Sequence, residues 1–275
     1  MNVLSSRSAD DVTSEPYPHL VVERAIDDEL CRSLTREFPP IDVFTNGRRV
    51  GDNVKFNYPA VRALADPRVS ARWKQFLRDH VTQEFYRDIV RVFGTALRRE
   101  HPDVESRLGP LDALRTGLLR RDGFERCEVL LDGLLGLHTP VAGPPRQERR
   151  PHVKGRDRLL VGFLYLRADD DAADGGAFEM FGVGEGTPRY ARWRQTDRRG
   201  LQLERTVPYR TNTLVVTLNT RRSIQALSAR GPGTRPLMYF HFLARVRHKL
   251  FDLDYTSLGR AHEVLHDALE RFAMR

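Results

Sequence analysis

The segment 151–181, PHVKGRDRLLVGFLYLRADDDAADGGAFEMF, decides the fold. Its middle part, LLVGFLYLRA at 159–168, is apolar at nearly every position, so a strand formed here has two apolar faces to bury. An acidic turn follows, and the apolar run that begins at Phe178 predicts a second strand. A strand that is apolar on both faces belongs in the middle of a sheet, so the segment predicts the centre of a β-rich core.

Further strands are predicted on both sides of this segment. The stretches 127–141 (CEVLLDGLLGLHTPV), 206–219 (TVPYRTNTLVVTLN) and 235–246 (RPLMYFHFLARV) are apolar runs rich in strand-forming residues. Residues 184–206 are polar, and we expect them to form an insertion between strands. The second half of the chain is therefore predicted to be mainly β.

Helical periodicity is strongest outside this β region. Apolar residues recur every three to four positions over residues 70–94, which predicts one long helix with a buried face. A shorter helix is predicted to begin near residue 27 or 28, and an amphipathic helix is predicted over 256–274. Residues 41–60 predict a loop with a turn at Asn46-Gly47, and residues 103–123 are expected to hold another helix or helical turn.

Composition and charge exclude several classes of protein. The net charge is +8, and 41 of the 45 basic residues are arginines spread along the chain with acids between them. A nucleic-acid-binding protein concentrates its charge in a stripe or tail, so nucleic acid is not an expected partner. Two cysteines make no disulfide framework, and no apolar run approaches the ~20 residues of a membrane span. The first residues lack the apolar core of a secretory signal, so we expect a cytoplasmic location.

These patterns predict an α+β protein with an antiparallel β-core. Residues 1–15 are polar and are predicted to be disordered. A single domain is expected over 16–275, with helical support at 16–125, the β-core at 126–250 and the C-terminal helix at 256–274. The sequence leaves the oligomeric state open.

Three parts of the chain resemble the 2-oxoglutarate/Fe(II)-dependent dioxygenases, in their prolyl-hydroxylase-like branch. Segment 151–181 matches the family's motif order through His152, Tyr165-Leu166 about a dozen residues later, and Gly175-Gly176 after an acidic turn. Segment 206–242 is similar to the family's second half, and segment 16–40 is similar to its opening strand and helix. The resemblance implies a double-stranded β-helix (jelly roll) core with flanking N-terminal and C-terminal helices.

The resemblance also implies where an iron site would lie, and there the chain departs from the family. His152 matches the first histidine, but Lys154 stands at the carboxylate position and Gln225 at the distal histidine position. Such iron sites use two histidines and one carboxylate, and a charged lysine has no lone pair to offer a metal. The iron triad is therefore expected to be lost. Fe(II) and 2-oxoglutarate are expected as cofactors only if the family chemistry survives.

Other polar residues are expected to share the site. Arg235 lies ten residues after Gln225, where the family's basic residue pairs with the distal carboxylate of 2-oxoglutarate. His241 has the same strand parity as Arg235, so both are expected to face one side of the sheet. His138 lies where relatives place a cofactor-contacting side chain. The predicted catalytic residues are thus His152, Lys154, His138 and Gln225; the predicted substrate or anion-binding residues are Arg235 and His241; and His152 is the one retained metal ligand.

Three functions stay open at this point. The first is a small-molecule-transforming enzyme that performs non-redox acid–base chemistry on an anionic metabolite or natural-product intermediate, as in secondary metabolism. In it a histidine is the general acid or base, and Lys154 is an electrostatic group, a base or a Schiff-base nucleophile. The second is a working Fe(II)/2-oxoglutarate-dependent hydroxylase with unusual ligands, and the third is a non-catalytic binding or partner protein. The unusual ligands of the hydroxylase would be drawn from His138, His152, His241 and Asp157, and the three histidines offer an alternative, relocated metal site of the kind that zinc uses.

Overall fold

The computed structural model describes residues 2–147, 149–184 and 188–273. The helices are α1 (Asp28–Arg36), α2 (Ile41–Thr45), α3 (Ala60–Ala65), α4 (Ala71–Asp79), α5 (Gln83–Glu100), α6 (Val104–Leu108) and α7 (Ser257–Ala273). The strands are β1 (His19–Glu23), β2 (Lys55–Pro59), β3 (Thr116–Leu118), β4 (Val129–His138), β5 (Arg158–Tyr165), β6 (Phe178–Val183), β7 (Leu201–Val207), β8 (Thr213–Leu218), β9 (Ile224–Leu227) and β10 (Leu237–Val246). Short 3-10 helices lie at Ala9–Asp11, Leu111–Ala113 and Arg192–Arg194.

The strands form two sheets. The major sheet has the order β1-β8-β5-β10-β4-β2, and the minor sheet has the order β7-β6-β9. Strand β5 lies between β8 and β10, which confirms the inner position that its two apolar faces predict. Strand β3 pairs with β4 in parallel, whereas the other pairings are antiparallel, so the prediction of a wholly antiparallel core is wrong at this one pair.

The two faces of the major sheet are covered by different layers. On β10, the ring of Phe240 packs 5.0 Å from that of Phe76 on α4, and Phe242 packs 5.2 Å from Phe85 on α5. Residues of opposite parity on the same strand join an apolar cluster that includes Phe178 of the minor sheet. Helices therefore cover one face of the major sheet and the minor sheet covers the other, which makes the fold a mixed α+β architecture.

The helix predicted over residues 70–94 is two helices. Thr82 caps the second of them by accepting a hydrogen bond from the amide of Phe85 at 3.1 Å. His80 lies between them, and its ring Nδ1 is 2.7 Å from the carbonyl oxygen of Phe76. Both helices turn their apolar residues toward the same sheet, so the spacing of apolar residues in the sequence does not show where one helix ends and the next begins.

The N-terminal residues differ from the disorder that their polarity predicts. Val3 and Leu4 are buried in the core of the helical layer. The amide of Val3 donates to Nε2 of His80 at 3.1 Å, and the guanidinium of Arg91 donates to the carbonyl of Leu4 at 3.0 Å. Two adjacent apolar residues are too few to show a period, so their burial has no signal in the local sequence.

Three stretches contain more regular structure than their sequences predict. Residues 41–60 include α2 and β2, residues 103–123 include β3 after the expected helical turn at α6, and residues 184–206 include most of β7. Each of these strands pairs with a single neighbour, so it has less apolar surface to bury and a weaker apolar pattern. The C-terminal helix is present as α7, but residue 274, where the prediction ends it, lies outside the described residues. Within the described ranges no helix combines the length and apolarity that crossing a membrane requires.

Aromatic rings of β10 lie directly over glycines of the neighbouring strands, and this close approach gives a testable prediction. A Cβ atom added at Gly162 of β5 would lie 2.1 Å from the ring of Phe242. We expect Gly162→Ala to lower the free energy of unfolding by about 1–3 kcal/mol in urea denaturation, because the ring must leave its packing against α5. Gly143→Ala is the matched control, since its added carbon has no described atom within 4 Å beyond the glycine itself and its two chain neighbours. Equal losses in the two variants would contradict the assignment.

Candidate functional site

The candidate site is a narrow cavity between the two sheets. Its volume of about 20 Å³ is room for one or two water molecules. Strands of both sheets and the loop before β5 supply the walls, which are formed by Lys55, Arg149, His152, Lys154, Phe163, Tyr165, Phe178, Gln225, Ala226, Leu227 and Tyr239. The structure thus brings His152, Lys154 and Gln225 together, as the sequence predicts.

The loop before β5 carries His152 and Lys154 into the cavity. The backbone of His152 exchanges two hydrogen bonds of 3.0 Å with Gln225, so the loop is fixed to β9. Nδ1 of His152 lies 3.0 Å from the carbonyl oxygen of Arg150, to which it donates its proton. Nε2 is then the acceptor nitrogen, and it lies 3.3 Å from Nζ of Lys154. The lysine therefore donates to the lone pair of the imidazole.

The remaining predicted residues take different positions around this pair. Oε1 of Gln225 accepts a hydrogen bond from the hydroxyl of Thr217 at 3.3 Å. The ring of His241 stacks on Phe163 at 4.5 Å, and Nε2 of His138 lies 3.4 Å from the hydroxyl of Tyr239. His138 and His241 therefore do not line the cavity themselves, but each contacts a residue that does.

The charged side chains among the described residues of the cavity lining are all cationic. Burial first, and then nearby cations that include Lys154 and Lys55, lower the pKa values of His138, His152 and His241 well below the usual value. All three imidazoles are therefore neutral at pH 7. Among the described residues that line the cavity, none is acidic. The cavity thus combines cationic side chains with a neutral imidazole.

The hydroxyl of Tyr165 adds a hydrogen-bond donor to the lining. It is buried and has no hydrogen-bond partner among the described residues. Burial raises the pKa of Tyr165, so the hydroxyl keeps its proton at neutral pH. A buried polar group without a partner costs about 1–3 kcal/mol, and a polar ligand in the cavity would recover that energy.

Arg235 is not part of the cavity, and the prediction that it faces the site beside His241 is wrong. Its side chain is 51% exposed, and Nε donates to Asp170 on the protein surface at 2.9 Å. Strand β10 begins only at Leu237, so the alternation of faces that relates positions within a strand does not extend back to residue 235. An anion-binding role for Arg235 in this cavity therefore has no geometric basis.

The buried arginine of this region is Arg230, which sequence reasoning missed. Nη2 of Arg230 donates to both carboxylate oxygens of Asp171, at 3.0 and 2.9 Å, and its charge contributes to the lowered pKa of His138. Lys55 and Arg149 were also missed. Nothing in the local sequence distinguishes these arginines from the other 39, whereas the scarcity of lysine was a usable signal for Lys55.

The residues at the iron-ligand positions do not fit iron. Nε2 of His152, the nitrogen that a metal would use, accepts a hydrogen bond from Lys154. Gln225 offers only a neutral amide oxygen, a poor ligand for Fe(II). Asp157, one of the ligands expected for a metal with unusual ligands, is paired with Arg245. In the described part of the chain, no group of three or more histidines, cysteines or carboxylates is arranged to hold a metal ion.

The chain was compared with known protein families, curated proteins and solved structures, and only solved structures of low sequence identity resemble it. No protein-family model matches the chain, and no curated protein matches it. The chain is similar to a prolyl-4-hydroxylase from Pseudomonas putida (TM-score 0.49, 15% identity, covering 90% of this chain and 100% of that one). It is also similar to a prolyl 4-hydroxylase from Phytophthora capsici (TM-score 0.46, 13% identity, covering 93% of this chain and 68% of that one). At this level of similarity neither likeness carries a conclusion about the family or activity of this chain.

Proposed function

We propose that the chain is an enzyme that binds a small anionic molecule between its two sheets and moves a proton on it without bound iron. The observation that carries the proposal is the charge of the lining. Lys55, Arg149 and Lys154 surround the neutral imidazole of His152, and no described lining residue is acidic. Positive charges gathered at a narrow, partly dry site raise the local concentration of anions.

The side chains of the cavity divide the work of such a reaction. His152 is the general base, because its Nε2 lone pair points toward Lys154 while the carbonyl of Arg150 fixes the ring through Nδ1. Lys154 occupies that lone pair in the resting site and turns to the anion when it enters, which frees Nε2 to accept a proton. The hydroxyl of Tyr165 donates to an oxygen of the substrate.

The scaffold in this proposal is a double-stranded β-helix of the dioxygenase type that no longer holds iron. The order of His152, Tyr165-Leu166 and Gly175-Gly176 along the chain supports it, as do two mainly antiparallel sheets with an apolar cluster between them. Lys154 and Gln225 at the ligand positions support the loss of the triad. The cavity has room for one or two water molecules, so a small metabolite or natural-product intermediate enters it only by its anionic tip, as Lys154 turns aside.

Removing the charge of Lys154 tests the proposal. We expect Lys154→Met to weaken the binding of succinate or inorganic phosphate by roughly 10–100-fold in isothermal titration, the range for losing a charge-assisted hydrogen bond. Lys249→Met is the matched control, because Lys249 is exposed and does not line the cavity. An unchanged affinity in Lys154→Met, or no anion binding by the unaltered protein, contradicts the proposal.

Metal analysis separates this function from the hydroxylase alternative. Protein purified without chelator is expected to carry well below one equivalent of iron and to gain none on anaerobic reconstitution. Stoichiometric Fe(II) together with turnover of 2-oxoglutarate to succinate would instead establish the hydroxylase. For the third alternative, a non-catalytic partner protein, anion binding in the cavity should be absent.

A further inference from the structure

Lys154 is placed for covalent chemistry as well as for charge. Its Nζ lies 3.3 Å from the acceptor nitrogen of His152, and Nδ1 of that ring is committed to the carbonyl of Arg150. The same cavity holds the cationic side chains of Lys55 and Arg149. A lysine next to other cationic groups is one of the recognised settings of a nucleophilic amine.

We propose that Lys154 forms an imine with a small carbonyl compound that carries a carboxylate. This inference rests on the proposed function, because the cavity must first bind the anion. The carboxylate is held by the cations of the lining, and the carbonyl carbon then lies toward Nζ. Tyr165, whose buried hydroxyl has no partner among the described residues, donates to the carbonyl oxygen.

The reaction balances without an oxidant or a reductant. Nε2 of His152 takes one proton from the ammonium of Lys154, and the freed electron pair forms a C–N bond to the carbonyl carbon. The π electrons of the C=O bond move to the oxygen, which accepts the proton back from the imidazolium. A second proton then passes from nitrogen to this hydroxyl, the C–O bond breaks, and water leaves. The products are a protonated imine on Lys154 and one molecule of water.

The chain is suited to a direct test because it has only four lysines. Pyruvate is the probe, since it is a small ketone with a carboxylate, and sodium borohydride reduces any imine to a stable carboxyethyl-lysine. We expect mass spectrometry to find one such group per chain and peptide mapping to place it on Lys154 rather than on Lys55. Lys154→Arg should lose the adduct, whereas the control Lys249→Arg should keep it.

A His152 variant and a second ligand, lactate, distinguish imine formation from anion binding alone. Lactate has the carboxylate of pyruvate but no carbonyl, so its binding reports the anion site alone. His152→Gln is expected to slow trapping by about 100-fold, because the imidazole acts on the proton. Lactate binding with no adduct, or with an adduct on Lys55, overturns the imine and leaves the proposed function standing. Absence of binding by both compounds overturns both.

Discussion

Replacing Asp171 by alanine is expected to lower the free energy of unfolding by about 3–5 kcal/mol, the cost of leaving a buried charge without its partner. The side chain of Asp171 is 1% exposed and that of Arg230 is 2% exposed. Both carboxylate oxygens accept hydrogen bonds from Nη2 of Arg230, and the guanidinium of Arg167 lies 3.8 Å from the same carboxylate. The substitution therefore leaves the buried guanidinium of Arg230 without its carboxylate partner and removes a nearby negative charge from Arg167.

The neighbouring residue supplies the control for this prediction. Asp170 pairs with Arg235 on the surface, where the two side chains are 60% and 51% exposed, so Asp170→Ala should destabilise the protein far less than Asp171→Ala. Urea denaturation measures both variants. Adding Arg230→Met to Asp171→Ala should recover part of the loss, since the stranded charge is then gone. Similar losses at positions 170 and 171 would show that the buried pair is not structurally important.

Lowering the pH from 7 to 5 is expected to remove several kcal/mol of stability through histidines that are buried in the neutral form. Burial lowers the pKa of His80 to about 4, and those of His138, His152 and His241 also lie well below the usual value. In the unfolded chain these rings take up protons below about pH 6.5, whereas the folded protein keeps them neutral. Protons therefore favour the unfolded state, and for His80 alone the loss of stability at pH 5 is about 2 kcal/mol.

One carboxyl group opposes this trend. Burial raises the pKa of Asp132 to about 6 despite the nearby guanidinium of Arg120, so the folded state takes up a proton there between about pH 6 and 4 and is stabilised by acid. Urea midpoints at pH 7, 6 and 5 measure the balance. His138→Phe should give a shallower loss and Asp132→Asn a steeper one. A flat profile for the unaltered protein would contradict the prediction.

Local sequence patterns were informative for elements that bury a large, continuous face. Strand β5 could be placed inside the major sheet because both of its faces are apolar. The start of α1 could be placed because aspartate is a common helix-capping residue, and in the structure the side chain of Asp27 accepts a hydrogen bond from the amide of Leu30. The break at His80 could not be foreseen, because it depends on contacts with Val3, which lies 77 residues away. Single-neighbour strands such as β2 have too little buried surface to show a pattern.

Some residues of the candidate site could likewise be predicted from the sequence, and others could not. His152, Lys154 and Gln225 could be predicted as neighbours from their motif positions, and the bridge between the loop and β9 brings them together. Lys55 reaches the cavity only because β2 pairs with β4, a pairing that no local pattern reveals. Arg235 was misplaced because an alternation valid within a strand was extended beyond its first residue.

Strand β10 has a consequence for how this protein can change over evolutionary time. Its odd-numbered positions, such as Tyr239 and His241, turn toward the space between the sheets, while Phe240 and Phe242 anchor the helices. Point substitutions at odd positions can alter ligand preference while the helical anchor is inherited intact. A single-residue insertion would turn the odd-numbered side chains toward the helices and the even-numbered ones toward the space between the sheets. New ligand preferences can therefore arise in this strand by substitution, but not by insertion or deletion of a residue.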